Sequence, residues 1–122
     1  MPYFSDADIG KVQPIVMIAH GTGIAPFISM LQRIQNDESA FQRVEVHFLF
    51  GARDNGEELL FGEFLTQFFE GNRKNKLYLA CSREIEENKL KTLENVFFYK
   101  GYVKDMIKDD SFEAGKQIPT VP

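Results

Sequence analysis

Several kinds of residue are scarce in this chain of 122 residues, and each scarcity excludes a class of protein. There is one cysteine, no tryptophan and only two histidines. A lone cysteine cannot close an internal disulfide, and two histidines with one cysteine offer no zinc-site spacing. No apolar run reaches the roughly 18–20 residues of a membrane-spanning helix, and the N-terminus lacks a signal-peptide pattern. We therefore expect a cytoplasmic domain with no metal site and no transmembrane segment.

Positive charge is also in short supply. Lys and Arg number 14 against 18 Asp and Glu, which gives a formal net charge of −4. A general nucleic-acid binder carries a basic face, so we expect no nucleic-acid partner. A few local cations would still suffice to bind a single phosphate group. The composition is otherwise that of a globular domain, with 43% hydrophobic residues and enough length to bury a core.

Apolar runs alternate along the chain with segments of helical periodicity. The runs predict strands at 14–19, 44–50, 77–81 and 96–99, and the periodic segments predict helices at 25–35, 57–70 and 102–108. Strands that alternate with helices in this way indicate parallel βαβ units. We therefore predict a Rossmann-like three-layer α/β/α fold with a parallel sheet. Residues 1–13 are polar and irregular, so the predicted domain covers residues 14–122.

Three finer predictions follow from the same patterns. The unbroken apolar character of residues 14–19 favours a strand that is covered on both faces. The polar tract 36–39 predicts the end of the first helix. In the last helix, Val103, Met106 and Ile107 are predicted to share one face.

A glycine turn follows the first strand directly. Gly21, Thr22 and Gly23 make up the turn, and Pro26 suits the first turn of the helix behind it because no N–H is needed there. Such a turn presents backbone N–H groups and the positive end of a helix to a phosphate. Taken alone, the glycines are equally explained by turn geometry. Pro26 also stands where a third glycine of the dinucleotide fingerprint would be, and no Walker Lys-Ser/Thr pair follows.

Two further polar sites stand at the ends of later strands. Arg53 follows the second predicted strand, and Ser82 and Arg83 follow the third. Because parallel strands end at one edge of the sheet, we expect these residues to converge with the glycine turn. This convergence is the strongest structural argument that the residues offer by themselves.

Lys100 and Tyr102 flank Gly101 just after the fourth predicted strand. A ribose 2′-phosphate is a dianion that suits an arginine fork, a lysine and hydroxyl donors. The tyrosine ring would in addition stack on an adenine. Lys104 either adds a further cation or belongs to a solvated helix face.

The remaining candidate residues have simpler explanations. His20 precedes the glycine turn with no nucleophile or carboxylate in a catalytic spacing, so we expect it to line the turn. His47 lies within a strand and Cys81 at the end of one, and both are predicted to be structural.

These segments resemble the pyridine-nucleotide-binding domain of the ferredoxin–NADP reductase superfamily, in particular its diflavin reductase type. The segments that carry the resemblance lie in the family's order over residues 14–121: Pro14–Ile18 with Gly21–Phe27, Phe50–Arg53 with Leu59–Glu63, Ser82–Glu84, Lys100–Asp105 and Ile118–Val121. Lys104 replaces the family's usual glutamine. Several motifs in the correct order are far more specific than any one of them.

The resemblance implies an oxidoreductase module that binds NADPH and presents it to FAD for hydride transfer. Electrons would then pass singly to a redox protein with an iron–sulfur, flavin or haem centre. By the same resemblance, Gly21, Thr22, Gly23 and Pro26 approach the pyrophosphate and nicotinamide ribose. The 2′-phosphate would be held by Ser82, Arg83, Lys100 and Tyr102, with Arg53 and Lys104 as further cations. No catalytic residue is assigned, because the redox chemistry belongs to the cofactors.

The sequence also departs from the family's pattern. The flavin-binding barrel and the C-terminal C-G-x motif are not in these residues, so we expect a domain that lacks its last strand and helix. FAD would belong to a separate flavin domain of the parent protein, and this chain alone would bind nucleotide without turning it over. The connection from Arg83 to Lys100 is long for the family. Two alternatives remain: a non-catalytic nucleotide-binding or docking domain, and an NADH-dependent single-flavin oxygenase reductase.

Overall fold

A computed structural model describes residues 13–53, 61–83 and 92–119 of the chain. In these ranges four strands form one sheet in the order β1-β2-β3-β4, and every neighbouring pair is parallel. The strands are β1 Gln13–His20, β2 Val44–Ala52, β3 Lys76–Cys81 and β4 Val96–Lys100. Each predicted strand is therefore present, one or two residues longer than its apolar run.

Helices cover both faces of this sheet. They are α1 Ala25–Asn36, α2 Glu38–Arg43, α3 Gly62–Gly71 and α4 Val103–Lys108, with short 3-10 helices at Gly21–Ile24 and Glu113–Gln117. The buried residues of α1 and α3 pack on one face of the sheet, and those of α4 pack on the other. The predicted three-layer α/β fold with a parallel sheet is confirmed.

The larger core lies between the sheet and helices α1 and α3. Alternate residues of a strand point to opposite faces, so Val46, Phe48 and Phe50 of β2 all enter this core. The helices contribute residues at helical spacing: Ile28, Leu31 and Ile34 from α1, and Leu65, Phe68 and Phe69 from α3. Burying a side chain of this size contributes about 1.5–3 kcal/mol, so this layer supplies most of the stabilisation.

A series of hydrogen-bonded polar side chains, Glu45, His47 and Tyr78, lies on the opposite face of the sheet. His47 is 1% exposed, its Nδ1 lies 3.0 Å from the Tyr78 hydroxyl, and its Nε2 lies 2.7 Å from a carboxylate oxygen of Glu45. Burial raises the pKa of Tyr78, and the neighbouring Glu45 charge raises it further. Both ring nitrogens of His47 are thus engaged within the fold, in agreement with a structural role.

One prediction about burial is wrong, and one helix is less buried than its apolar face suggests. Ile18 of β1 is 44% exposed, so β1 is not covered on both faces. In the described sheet β1 lies at an edge, and an apolar run does not tell an edge strand from a central one. Ile107 is 53% exposed although Val103 and Met106 of the same helix are buried. A helix of six residues places only one narrow stripe on the sheet, and Ile107 falls outside it.

The tract 36–39 ends α1 as predicted but also begins another helix. Asp37 is extended, and its carboxylate accepts a hydrogen bond from the Ala40 N–H at 3.2 Å, which makes it the N-cap of α2. The sequence reasoning treated the whole tract as a terminator and missed this helix. It also missed the 3-10 helix at Glu113–Gln117.

Some predictions fall partly or wholly outside the described residues. These are the irregular segment 1–13, apart from Gln13 in β1, the start of the helix predicted at 57–70, and the charged connection 84–91. Ile118–Val121 resembles the family's strand that leads into its C-G-x motif, but Ile118 and Pro119 lie in no strand, and residues 120 and 121 lie outside the described ranges.

Candidate functional site

The carboxyl ends of the four strands lie side by side, as the parallel register requires. His20 of β1 pairs with Gly51 of β2, and Cys81 of β3 pairs with both Ala52 of β2 and Lys100 of β4. Neighbouring strands are about 4.8 Å apart, so the row from β1 to β4 spans about 14 Å. Lys100 is itself the last residue of β4, and the other predicted site residues stand on the turns and helix starts that follow this row.

The turn after β1 begins with a glycine that the backbone requires. Gly21 has φ of 50°, a left-handed conformation that residues with a side chain rarely adopt. Ile24, fully buried, fixes the far end of the turn against the core. Gly21, Thr22 and Gly23 between these points are exposed, so their backbone groups face solvent.

Helix α1 starts behind this turn with no charge compensation of its own. Pro26 lies in its first turn, the N-cap Ile24 supplies no side-chain hydrogen bond, and no acidic residue is present in that turn. The positive end of the helix dipole is therefore left to solvent or to a bound anion.

Gly23 is a glycine that the chain's own packing does not require. Its φ is not positive, and a methyl group built on it would meet no atom of the described residues within 4 Å. The space over Gly23 is open to solvent, and a side chain there would fill it. Such a cradle fits the close approach of a ligand's phosphate to the backbone.

The turns after β2 and β3 are joined by backbone hydrogen bonds. The N–H of Ser82 donates to the Ala52 carbonyl at 3.2 Å, and the N–H of Arg83 donates to the Arg53 carbonyl at 2.8 Å. Two arginines are thus held on adjacent turns, both exposed. Within the described ranges, neither guanidinium forms an ion pair or hydrogen bond. Paired guanidinium groups without a carboxylate partner suit an anion.

The turn after β4 is fixed to the same edge. The N–H of Gly101 donates to the Cys81 carbonyl at 2.7 Å, and Gly101 has φ of 142°. A methyl group at Gly101 would lie 2.9 Å from the Tyr99 ring. Glycine is needed here for the turn itself, in contrast to Gly23.

Tyr99 is held firmly beneath this turn. Its hydroxyl donates to an Asp109 carboxylate oxygen at 2.8 Å, and its ring packs edge-on against Phe112. The hydrogen bond to Asp109 raises the pKa of Tyr99. Hydrogen bonds from the Ser111 hydroxyl and then from Tyr99 lower the pKa of Asp109.

Lys100 and Tyr102 project from the fixed turn into solvent. Tyr102 is 61% exposed, while its carbonyl accepts hydrogen bonds from the N–H groups of Asp105 and Met106 at 3.0 Å. Its backbone is therefore anchored and its ring is free to stack. Lys104 is exposed in the first turn of α4. The structure thus brings the four predicted clusters to one edge of the sheet.

Sequence reasoning missed how His20 is placed. A methyl group on Gly51 would lie 2.9 Å from Nδ1 of His20 and 3.1 Å from a methyl group of Val103. The imidazole therefore packs over Gly51 at the junction between β1, β2 and α4. His20 and Gly51 are 31 positions apart in the sequence, so no local pattern predicts this contact.

Clusters of metal-ligating side chains and membrane-spanning helices are both absent from the described ranges. There, no three histidine, cysteine or carboxylate side chains gather as metal ligands. None of the helices in those ranges has both the length and the apolar character needed to cross a membrane.

A family model and several known proteins match this chain. The sequence profile of a family described as the oxidoreductase NAD-binding domain matches residues 17–119, a range that includes every predicted site residue. NADPH oxidoreductase A of Dictyostelium discoideum is 39% identical over 74 residues, which are 61% of this chain and 11% of that protein. The NADPH–cytochrome P450 reductases of Sus scrofa and Homo sapiens are each 31% identical over 106 residues, or 86% of this chain. The chain spans 14% of the length of those two relatives.

Proposed function

The chain belongs to the oxidoreductase NAD-binding domain family, and on that premise we propose that it is the NADPH-binding module of a flavin-dependent reductase. Its ferredoxin–NADP reductase type is supported by the relatives named as NADPH oxidoreductase and NADPH–cytochrome P450 reductase. In this proposal hydride passes from NADPH to FAD held by another part of the parent protein. Electrons then pass to a redox protein with an iron–sulfur, flavin or haem centre.

The observation that carries the proposal is the group of exposed polar side chains at the ends of β3 and β4, which form no ion pair with any residue that the structure describes. Arg83 follows β3 and Lys100 is the last residue of the neighbouring β4, Ser82 adds a hydroxyl, and Tyr102 offers an exposed ring. These groups match the chemistry of an adenosine 2′-phosphate, a dianion beside an aromatic base.

A rough magnitude shows that the 2′-phosphate would dominate nucleotide choice. Hydrogen bonds to charged groups contribute about 1.5–3 kcal/mol each, and solvent exposure reduces that to about 1 kcal/mol. Three such contacts would favour a 2′-phosphorylated nucleotide roughly a hundredfold, since 1.4 kcal/mol corresponds to a factor of ten.

The opposite end of the nucleotide would lie on the turn after β1. Gly21, Thr22 and Gly23 offer backbone N–H groups, and the start of α1 at Pro26 adds its dipole. Arg53, between the turn and Arg83, is placed to meet a phosphate between the two ends. NADPH supplies the hydride, and these residues contribute by holding it in position.

The test is calorimetric titration of this chain with 2′,5′-ADP and, in parallel, with 5′-AMP. We expect clear binding of 2′,5′-ADP and a loss of roughly tenfold or more in affinity for Arg83→Ala. Arg73→Ala is the matched control, because Arg73 is equally exposed but pairs with Glu94 near the amino end of β3. Its affinity should equal that of the parent chain.

Other outcomes would redirect the proposal. Equal binding of both nucleotides would favour an NADH-dependent reductase. Absence of binding to a chain with cooperative thermal unfolding would overturn the proposal. Bound FAD in the purified parent protein separates a reductase from a non-catalytic nucleotide-binding module.

A further inference from the structure

The turn after β4, which carries Lys100 and Tyr102 in the proposed site, rests on the side chain of Tyr99. Tyr99 directly precedes Lys100, and its half-buried ring packs on the α4 face of the sheet. A Cβ on Gly101 would lie 2.9 Å from Cε2 and 3.5 Å from Cδ2 of this ring. The backbone between Lys100 and Tyr102 therefore passes directly over the Tyr99 ring, so the position of the ring limits the position of the turn.

The Tyr99 ring is itself fixed by the residues that follow α4. Its hydroxyl donates to Oδ2 of Asp109 at 2.8 Å, while Oδ1 of the same carboxylate accepts from the Ser111 N–H at 2.9 Å and from the Ser111 hydroxyl. The ring of Phe112 packs edge-on against Tyr99, with the ring centroids 5.2 Å apart. Each oxygen of the carboxylate thus has a partner of its own, and the tyrosine is held both at its hydroxyl and at its ring.

The hydrogen bond between Tyr99 and Asp109 closes a loop around part of the proposed site. Tyr99 belongs to β4 and Asp109 is the C-cap of α4, so the bond joins the two ends of the segment that includes this helix. Lys100, Tyr102 and Lys104 all lie within that segment. One side-chain contact therefore restrains the backbone from which these three predicted site residues project.

The charge of Asp109 works against a bound phosphate. Hydrogen bonds from Ser111 and then from Tyr99 lower the pKa of Asp109, so this residue is a carboxylate at neutral pH. A carboxylate near an anion site repels the anion, so its removal should by charge alone raise the affinity for a phosphate. A loss of affinity on removal of Asp109 would therefore report the position of the site residues and not the charge.

We propose that Asp109 is a positioning residue of the adenosine 2′-phosphate site, which acts through Tyr99 to hold the turn that carries Lys100 and Tyr102. This inference rests on the proposed function and adds to it a residue that does not touch the nucleotide. The side chains of Lys100 and Tyr102 are exposed, so a ligand must order them when it binds. A turn that is already held in place leaves less conformational entropy to be lost on binding.

The experiment is calorimetric titration of 2′,5′-ADP into the parent chain and into variants of this contact. Asp109→Ala removes the acceptor, whereas Tyr99→Phe removes only the hydroxyl and keeps the ring. Each should weaken binding roughly fivefold, which corresponds to about 1 kcal/mol for one lost hydrogen bond. The double variant should lose no more than either single variant, because both substitutions remove the same contact.

Two controls separate position from charge. Asp110→Ala removes the same charge from the next residue, which is exposed and forms no hydrogen bond or ion pair with any described residue. Its affinity should equal or exceed that of the parent chain. Asp109→Asn also removes the charge, but its amide can accept from Ser111 and donate to the Tyr99 oxygen. Its affinity should stay within about twofold of the parent value.

Hydrogen exchange of the Gly101 amide gives a reading that does not need the nucleotide. This N–H donates to the Cys81 carbonyl at 2.7 Å, so its exchange rate reports whether the turn stays closed. In Asp109→Ala and Tyr99→Phe, the Gly101 amide should exchange faster than in the parent chain. The amide of Leu79, which is fully buried in β3, should keep the parent's rate. A loss of global stability would instead speed the exchange of both amides.

The outcomes separate this inference from the proposed function. If 2′,5′-ADP binds in an Arg83-dependent way but Asp109→Ala and Tyr99→Phe bind it as tightly as the parent chain, only the role of Asp109 is overturned. An equal gain in affinity for Asp109→Ala and Asp110→Ala would overturn that role as well, since both carboxylates would then act by charge alone. If 2′,5′-ADP does not bind to the parent chain, both fail together.

Discussion

Polar residues have opposite roles at the two ends of the strands, which we call the amino edge and the carboxyl edge of the sheet. At the amino edge, Asn75 is fully buried and Asn95 is 5% exposed, and both serve the backbone. The Val46 N–H donates to Asn75 Oδ1 at 2.9 Å, and Asn95 Nδ2 donates to the Phe69 carbonyl at 2.8 Å and the Asn75 carbonyl at 2.6 Å. At the carboxyl edge, the side chains of Arg53, Arg83 and Lys100 are exposed and, within the described ranges, form no ion pair. Polar groups at the amino edge therefore stabilise the fold, and those at the carboxyl edge are available to a ligand.

This difference predicts which substitutions will lower stability and which will weaken nucleotide binding. A change at the amino edge should lower the free energy of unfolding and leave nucleotide affinity unchanged in the folded fraction. A change of an exposed side chain at the carboxyl edge should do the reverse. Residues that violate this division are the informative ones.

Asn95→Ala tests the amino edge and has the largest expected effect on stability. It leaves the carbonyls of Phe69 and Asn75 buried without this donor, at about 1–3 kcal/mol for each unsatisfied group. We expect a loss of about 3 kcal/mol in the free energy of unfolding, measured by urea denaturation. Asn36→Ala, at the exposed end of α1, is the control and should stay within about 0.5 kcal/mol. A loss at Asn95 as small as that of the control would contradict the comparison.

Two glycines of the carboxyl edge test whether the division holds in two different turns. Gly101→Ala forces a side chain to φ of 142° and to 2.9 Å from a Tyr99 ring that Asp109 and Phe112 hold in place. We expect it to cost about 2 kcal/mol of stability and to weaken nucleotide binding by displacing Lys100 and Tyr102. Gly101→Ala should therefore lower both stability and affinity, because the backbone at Gly101 also positions the site residues.

Gly23→Ala should weaken nucleotide binding without lowering stability. Its new methyl group meets no described atom within 4 Å, so stability should stay the same or rise by up to about 1 kcal/mol. Nucleotide affinity should fall roughly tenfold, because the methyl group fills the cradle over the turn. Urea denaturation and calorimetry on the same preparation give both numbers. Unchanged affinity would remove the turn after β1 from the proposed site.

The sequence predicted most of the carboxyl edge because its signals are local. A glycine turn after an apolar run and a charged pair after a strand, as at Ser82 and Arg83, each lie within a few residues. Parallel topology then brings them together without further information. The strand bounds and the family were predicted for the same reason, and the family profile over residues 17–119 confirms the second.

The parts that were not predicted depend on contacts distant in the chain. The exposure of Ile18 depends on which strand neighbours β1, and the packing of His20 over Gly51 depends on the register of β1 with β2. The helix after Asp37 was missed for a different reason: a residue that ends one helix can cap the next. The roles of the site residues themselves stay predictions until nucleotide binding is measured.

Tyr78→Phe has the smallest expected effect at neutral pH and sharpens the comparison at high pH. The hydroxyl contact with His47 is worth about 1 kcal/mol, so the variant should lose that much at pH 7. Burial raises the pKa of Tyr78 above its model-peptide value of 10.0, so the folded chain keeps the proton that the unfolded chain releases. The stabilisation from this raised pKa is complete below pH 10 and declines as pH rises above 10. Urea midpoints at pH 7, 9, 10 and 11 should therefore fall less steeply above pH 10 in the variant than in the parent chain.

Tyr102→Phe, at the exposed carboxyl edge, is the matched control and should keep the parent's alkaline slope, because its hydroxyl takes no part in the buried polar chain. Equal slopes in the Tyr78 variant and the parent would mean that this chain of buried polar groups does not hold a proton for the fold.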